Sequence, residues 1–302
     1  MIYSQQSNVL PMTHTEMSVI LETSSVEVPT EVPVLDFCKC DYNCDFVQIA
    51  LAGSNTYETD RTPLLLFNPD TISGSVEFKI KNVDSGMEYV LSGPTYGSDF
   101  PLGSFSSQPL RAGYLVDWGK VSDVIGFGRY RLLTTNNFNN KTINTESHIY
   151  HCMEYTVERA DGTVRIEAVQ NGCIEGGVDY TGMNWLLQVR IPGKFGFVQP
   201  TLVTDEYEST TRVITQVQDQ MIDNFSLQTT MLPSFIMDPI YKDSLLGDTI
   251  KITDYNVISY RDIRDLEVRP TNIAEVDERW GSINADFLIE FQEAVQNIIK
   301  RR

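Results

Sequence analysis

The sequence has few basic residues and only three histidines. Its 302 residues include 23 Lys and Arg against 41 Asp and Glu, which gives a formal net charge of −18. Because proteins hold nucleic acid by replacing its counterions with Lys and Arg, this balance argues against a protein that grips DNA, and it argues equally against binding to anionic lipid. It leaves open a surface that lies beside DNA without adhering to it, since like charges repel.

Long hydrophobic runs are also missing. No window approaches the roughly 18 apolar residues that a membrane span needs. The first 25 residues have neither the basic region nor the apolar core of a secretory signal. Five cysteines, an odd number in a chain without such a signal, favour reduced thiols and synthesis in the cytoplasm over paired disulfides.

Alternation of apolar and polar residues is the dominant pattern that is present. This period of two is typical of half-buried strands. It occurs in SVEFKIK (75–81), TVRIEAV (163–169), WLLQVRI (185–191), TIKITDY (249–255) and INADFLIEF (283–291). The pattern places Arg165, Gln188 and Arg190 on the polar sides of their strands, where we expect them to face solvent.

These strands predict a mainly β fold of antiparallel β-sandwich-like domains with one or two short helices and an extended N-terminal arm. Residues 1–35 are assigned to the arm, because they carry few apolar residues at either structural period and include Pro29 and Pro33; a disordered tail is the alternative. Residues 36–158 are predicted to form a first β-rich domain and residues 159–302 a second.

Two segments are predicted to be helical and one to be a loop. Asp238 is a capping residue and Pro239 suits the first helical position, so a short helix is expected near 238–246. The closing QEAVQNIIKRR (292–302) is expected to form a short basic helix. The Asn- and Thr-rich TTNNFNNKTINTES (134–147) is predicted to be a long exposed loop.

The segment CKCDYNCD (38–45) holds three of the five cysteines. Cys38 and Cys40, at alternate positions of a strand, could point at one ion, and Cys44 could return on a turn. A tetrahedral zinc site needs a fourth ligand. The candidates for it are Cys152, Cys173, His148 and His151. Since C-x-C-x3-C is not a standard zinc-knuckle spacing, we interpret the segment as packed thiols at a strand edge and predict neither metal nor cofactor.

No pattern in the sequence predicts a catalytic centre. The cluster HIYHC (148–152) suggests a nucleophile beside a base or a pair of ligands. Residues three apart on an alternating strand face opposite sides, however, so His148 and His151 are not expected to act together. The chain has no G-x-S-x-G, no H-E-x-x-H and no phosphate-binding loop. We therefore do not expect an enzyme.

The three tryptophans, Trp118, Trp185 and Trp280, could form a sugar-stacking platform or belong to the core. Trp185 lies on the apolar side of a predicted strand, so core packing is favoured. If the protein binds carbohydrate instead, the exposed platform is expected at Trp118, Tyr114 or Tyr130.

Several long stretches resemble one protein family. They are GYLVDWGKVSDVIGFGRYRL (113–132), DGTVRIEAVQNGCIEGGVDYTGMNWLLQVRIPGKFG (161–196), QVQDQMIDNFSLQTTMLPSFIMDPIYKDSLLGDTIKITDYN (216–256) and FLIEFQEAVQNIIKRR (287–302). The most specific part is the run of residues 179–196. The family is a set of virion proteins of tailed bacteriophages of Bacteroidota, including the crAss-like phages, and the resemblance covers most of the chain after the arm.

The resemblance implies a structural protein of the virion, assembled in the cytoplasm of the host bacterium. Its expected place is a homo-oligomeric ring, of a kind that is commonly twelvefold in such particles, in the neck or tail barrel around the DNA channel, next to portal, neck or tail proteins. Early C-x-C pairs such as Cys38 and Cys40 look usual in the family, and the pattern carries no active residue. The arm (1–35) and the loop (136–147) are the expected interaction segments.

Two other classes of function stay open. One is a receptor- or carbohydrate-binding tail or decoration protein, which would need the exposed aromatic platform. The other is a virion-associated hydrolase of polysaccharide or peptidoglycan with an acidic pair that the sequence does not single out.

Overall fold

The computed structural model describes residues 35–36, 47–56, 58–68, 74–99, 110–138, 141–171, 184–196, 199–208, 214–229, 232–233, 240, 244–256, 261–278, 284–293 and 298–301. The predicted fold class, mainly β with antiparallel sheets and short helices, is confirmed. The predicted N-terminal arm lies outside the described residues except for Leu35.

The first ten described strands form two sheets, which we call the first unit. They are β1 (Leu35–Asp36), β2 (Val47–Ala52), β3 (Arg61–Asn68), β4 (Gly74–Asn82), β5 (Glu88–Leu91), β6 (Gly97–Asp99), β7 (Leu110–Asp117), β8 (Gly128–Phe138), β9 (Lys141–Glu146) and β10 (Ile149–Glu154). In the larger sheet β5, β4 and β8 are antiparallel, and the other edge of β8 pairs with β10 and then β9. Two further pairings, β1 with β9 and β2 with β10, are parallel.

The smaller sheet, β3–β7–β6, shares one core with the larger sheet, as a sandwich does. Alternation explains the contact, because Phe78 and Ile80 of β4 are buried while the lysines beside them are half-buried. The core is rich in aromatic side chains. Its largest members are Trp118, Tyr114, Tyr130, Tyr150, Leu64 and Ile80.

The prediction of a long exposed loop at 134–147 is wrong. Strand β8 continues to Phe138, and β9 begins at Lys141 and returns along it as a hairpin. The β-branched threonines of this segment suit a pleated strand, and β4 pairs with β8 along the opposite edge. Polarity here therefore marks a hairpin, not a loop.

Two short helices occur in the described part of the chain. Helix α1 (Trp118–Val124) is capped by Asp117, whose side chain accepts the Lys120 N–H at 3.2 Å. Helix α2 (Val157–Ala160) is capped in the same way by Thr156. In the described residues, no helix is long and apolar enough to cross a membrane.

The remaining nine described strands form one sheet, the second unit. They are β11 (Thr163–Gln170), β12 (Trp185–Phe195), β13 (Gln199–Glu208), β14 (Ile214–Thr229), β15 (Leu232–Pro233), β16 (Thr249–Asn256), β17 (Arg261–Glu278), β18 (Asn284–Glu293) and β19 (Ile298–Arg301). Six of them pair in a closed circle, β12–β14–β18–β17–β16–β11 and back to β12. The sandwich expected for this half of the chain is thus an antiparallel barrel.

The barrel interior is the apolar core of the second unit. Alternating residues of the strands point into it, as the sequence pattern predicts for Val164, Ile166, Leu187, Ile252 and Ile289, all of which are at most 1% exposed. Closing the sheet removes the free edges that an open sheet of this size would leave.

The predicted helices of the second unit have different outcomes. Most of 238–246, including Asp238 and Pro239, lies outside the described residues; within it, the Leu245 N–H donates to the Ile240 carbonyl at 2.8 Å. The predicted C-terminal helix is wrong, because Ile298–Arg301 is strand β19 and pairs with β14. Two adjacent isoleucines favour a strand, and β14 supplies the partner.

Three strands continue beyond the barrel as a narrow sheet, which we call the ribbon. It consists of β13, residues 214–223 of β14, and β19. Strand β13 follows β12 along one edge of β14, and β19 follows β18 along the other edge. Within the described strands, β13 and β19 pair with β14 alone, so the outer edge of each has no partner among those strands.

Candidate functional site

The candidate zinc ligands are not brought together in the described part of the chain. Cys38, Cys40, Cys44 and Cys173 lie outside it. Cys152 is buried, with Sγ 3.8 Å from the Trp118 carbonyl, and burial followed by the nearby Asp60 charge raises the pKa of its thiol to about 12. The thiol therefore stays protonated, which suits neither a ligand nor a nucleophile. The described residues hold no metal-binding group of three or more His, Cys, Asp or Glu.

The two histidines of HIYHC lie in different environments. His148 is buried, with Nε2 2.7 Å from Gln48 Oε1 and its ring 4.5 Å from that of Tyr150. Burial, and then the Arg131 charge, lowers its pKa to about 3, so the imidazole is neutral. His151 is half-buried on the side of β10 opposite to Cys152, as the alternation predicts. The three groups do not form one site.

The aromatic residues proposed as a carbohydrate platform are core residues. Trp118, Tyr114 and Tyr130 are each at most 1% exposed. The Trp118 Nε1–H donates to Thr62 Oγ1 at 2.9 Å, and its ring stacks on that of Tyr150 at 5.3 Å. The exposed platform that the carbohydrate-binding alternative needs is therefore not formed at these three positions. Core packing is confirmed for Trp118 and Trp185, whereas Trp280 lies outside the described residues.

The most elaborate polar site is the contact between the two units, which we call the junction. It consists of Thr56 and residues 58–61 of the first unit and the outward face of β11 and β12. Asp60 receives two hydrogen bonds from Arg190, Nε to Oδ2 at 2.6 Å and Nη2 to Oδ1 at 2.8 Å. Both side chains are buried, at 7% and 4% exposure. The Leu51 N–H also donates to Asp60 Oδ2 at 2.8 Å, and Arg190 Nη1 donates to Thr163 Oγ1 at 3.1 Å.

A second arginine of the junction is held from both units. Arg165 Nη1 donates to the Thr56 carbonyl at 2.9 Å, and Nη2 donates to Asp265 Oδ1 at 3.0 Å. Asp265 lies at a register shift between β16 and β17 with φ +47°, a conformation that Asp adopts more readily than most residues. Thr253 holds it there through hydrogen bonds of 2.9 and 3.0 Å.

Gln188 adds a third contact across the junction. Its Oε1 accepts the backbone N–H of Arg61, and its Nε2 donates to Glu167 Oε2 at 2.9 Å. These charge-assisted and bidentate bonds fix the distance and the angle between their elements. The junction therefore joins the two units as one body.

The expectation that Arg165, Gln188 and Arg190 face solvent is wrong, because they are 2%, 6% and 6% exposed. Alternation predicts which residues share a face, but not whether another part of the chain covers that face. The pairing of β11 with β12 indicates that this face is covered, because it places Arg165 and Arg190 directly opposite each other. Like charges opposite each other are unfavourable unless carboxylates lie over them.

An open polar cleft of about 260 Å³ lies beside the junction, between residues 53–56, Thr59 and Arg61 on one side and helix α1 on the other. It is lined by both signs of charge, including Arg61, Lys120 and Asp123. Asp117 caps the helix and lies 3.6 Å from Arg61, and Lys120 Nζ donates to two carbonyls at 3.0 and 3.1 Å. Three of the charged groups that line the cleft, Arg61, Asp117 and Lys120, are thus engaged in the fold.

No protein-family model matches this chain, and no curated protein matches it in sequence.

Proposed function

We propose that this chain is a structural virion protein of a tailed bacteriophage. Copies of it form a homo-oligomeric ring in the neck or tail barrel, around the DNA channel and next to portal, neck or tail proteins. The observation that carries the proposal is the ribbon, a sheet extension whose two outer edges have no partner among the described strands.

Unpaired strand edges expose rows of N–H and C=O groups that accept a further strand. Strand β13 has ten residues, about 33 Å at roughly 3.3 Å per residue, so its outer edge is long for an edge without a partner among the described strands. In a ring each copy has a neighbour on both sides, which is the arrangement that a sheet with two open edges requires.

The junction supports the same function. A ring subunit must keep its shape while a genome passes and while other rings press on it. The bidentate Asp60–Arg190 pair and the Arg165–Asp265 pair prevent the two units from turning about the chain that links them.

The charge of the chain supports a place at the channel. A net charge of −18 repels DNA phosphates, so a wall of such subunits lets DNA slide without binding it. The carbohydrate-binding alternative loses its expected platform, because Trp118, Tyr114 and Tyr130 are buried. No described observation favours the hydrolase alternative.

Electron microscopy of the purified full-length chain tests the proposal. We expect closed rings with a central channel, and light scattering should give one mass that is a whole multiple of 34.2 kDa. Purified chain that remains monomeric at high concentration contradicts the proposal. Deletion of residues 1–30 separates the contributions: loss of rings assigns assembly to the arm, and rings of normal size assign it to the rest of the chain.

A further inference from the structure

The two open edges of the ribbon belong to strands that run in the same direction. Both β13 and β19 are antiparallel to β14, so they are parallel to each other on opposite sides of it. Repeating the ribbon side by side brings β19 of one copy next to β13 of another. The two strands of that new contact are parallel. Each further copy can be added through the same contact and in the same direction.

The two edge strands carry opposite charges. Strand β13 includes Asp205, Glu206 and Glu208 and no basic residue, whereas β19 includes Lys300 and Arg301 and no acidic residue. A parallel contact of β13 with β13 or of β19 with β19 places equal charges together, which is unfavourable across a strand pair, and an antiparallel one sets each charged end beside an uncharged end. Only the head-to-tail contact between β13 and β19 joins opposite charges.

The charges also lie at matching heights along the ribbon. Asp205 is level with Gln218 of β14, which is level with Arg301; Thr204 is level with Asp219, which is level with Lys300. A rotation about an axis along the strands moves each residue sideways and keeps its height. Copies related by such a rotation, without any rise, therefore bring the acidic end of β13 beside the basic end of β19.

An exposed apolar pair lies on the same sheet. Leu202 of β13 is 57% exposed and Met221, its cross-strand partner in β14, is 40% exposed. The two side chains lie side by side and form a small apolar patch that a neighbouring strand would cover. Leu202 lies on the edge strand itself, where a neighbouring strand would reach it.

We propose that β13 of one copy pairs in parallel with β19 of the next copy, so that the ribbons form one continuous sheet around the ring. The proposal rests on the ring function proposed above and adds the contact that builds the ring. It is a heterologous contact, which closes when the rotation between copies divides the circle evenly. The partner is therefore a second copy of this chain, selected by opposite charge at opposite edges.

Charge reversal at each edge tests the contact. The acidic-edge variant carries Asp205→Lys, Glu206→Lys and Glu208→Lys, whose partners in β14 are Gln218, Gln216 and Ile214 and thus uncharged. The basic-edge variant carries Lys300→Gln and Arg301→Glu; glutamine at 300 avoids a second acid opposite Asp219. A control with Glu154→Lys, Glu158→Lys and Asp161→Lys has the net charge of the acidic-edge variant but leaves the ribbon unchanged.

We expect each edge variant alone to lose its rings, with an association constant at least about tenfold lower than that of the wild type by sedimentation velocity. The control should form rings. An equimolar mixture of the two edge variants should form rings again, because every contact joins opposite charges when the variants alternate in a ring with an even number of copies. A single chain carrying both sets of changes should form rings with any number of copies. Circular dichroism and thermal unfolding check that each variant is folded.

Edge variants that form rings like the wild type overturn the β13–β19 contact and leave the ring function standing. Rescue that fails in both the mixture and the combined chain also overturns it, because complementary charge then does not select the contact. A wild-type chain that stays monomeric overturns the ring function itself, so the two failures are told apart.

Discussion

Strands β11 and β12 bury both of their faces, one among apolar groups and the other among polar groups. The inward face places Ile166 and Leu187 in the barrel, each 1% exposed. The outward face places Arg165 and Arg190 in the junction, 2% and 6% exposed. The inward side chains are apolar and the outward ones are charged, yet their exposed fractions are nearly the same.

The difference separates two tasks within one pair of strands. Apolar burial stabilises without strict geometry, because it depends on the area removed from water. Buried charges stabilise a structure only where each polar atom meets a partner, since otherwise their desolvation is unfavourable. The inward face therefore holds the barrel together, and the outward face sets how the two units are oriented.

Removing one member of the Asp60–Arg190 pair should have the largest effect on stability. Asp60→Ala leaves the Arg190 guanidinium and the Leu51 N–H without their acceptor in a buried site. We expect the free energy of unfolding to fall by about 3–5 kcal/mol, measured by urea denaturation. The effect should appear as a lower midpoint of the transition.

A double variant separates the charge from the packing. Asp60→Leu with Arg190→Met replaces both charges by apolar groups and should recover most of the lost stability. Asp84→Ala, which breaks the exposed Asp84–Arg129 pair, should leave the midpoint unchanged. An Asp60→Ala midpoint equal to that of the wild type would show that the pair does not hold the junction.

Truncation on the inward face should have the next largest effect. Leu187→Ala removes a side chain that is 1% exposed in the barrel core and leaves a cavity. We expect a loss of about 2–4 kcal/mol in the same urea experiment. Leu186→Ala, at the neighbouring half-buried position, is the control and should lose less. Equal losses at the two positions would contradict the inward orientation of Leu187.

The strands that could be predicted from the sequence are those with one buried face, because their apolar and polar residues alternate. Strands β4 and β16 are examples, because Phe78, Ile80, Ile250 and Ile252 alternate with polar residues and are buried. The ribbon strand β14 is different. Its sixteen residues, ITQVQDQMIDNFSLQT, are largely polar, and its partners come from four other strands along the chain. Long-range pairing, and not local alternation, makes it a strand.

The junction could not be predicted for a related reason. Alternation places Arg165 and Arg190 opposite the apolar residues, which is correct, but their cover comes from a segment more than 100 residues earlier in the chain. The pairing of β14 with β18, which closes the barrel, also cannot be predicted from the local pattern of apolar and polar residues. What the sequence lacks is the register that brings distant segments together.

At neutral pH the titration of His148 should have the smallest effect, because it acts only on acidification, and it extends the comparison to a buried polar group whose partner, Gln48, is uncharged. The folded chain keeps His148 neutral until the pH nears 3, whereas the unfolded chain protonates it near 6.5. Between these values the unfolded state binds more protons, so stability falls as the pH is lowered, by up to about 1.4 kcal/mol per pH unit from this group.

His148→Gln removes that titration and retains an amide that can donate to Gln48. Urea denaturation between pH 6.5 and pH 4 should therefore show a stability difference between wild type and variant that shrinks or reverses toward the acid end. His151→Gln, at the half-buried position of β10, is the matched control and should follow the wild type. Parallel curves for wild type and His148→Gln would mean that the imidazole takes up its proton in the folded chain, and that burial beside Tyr150 does not keep it neutral.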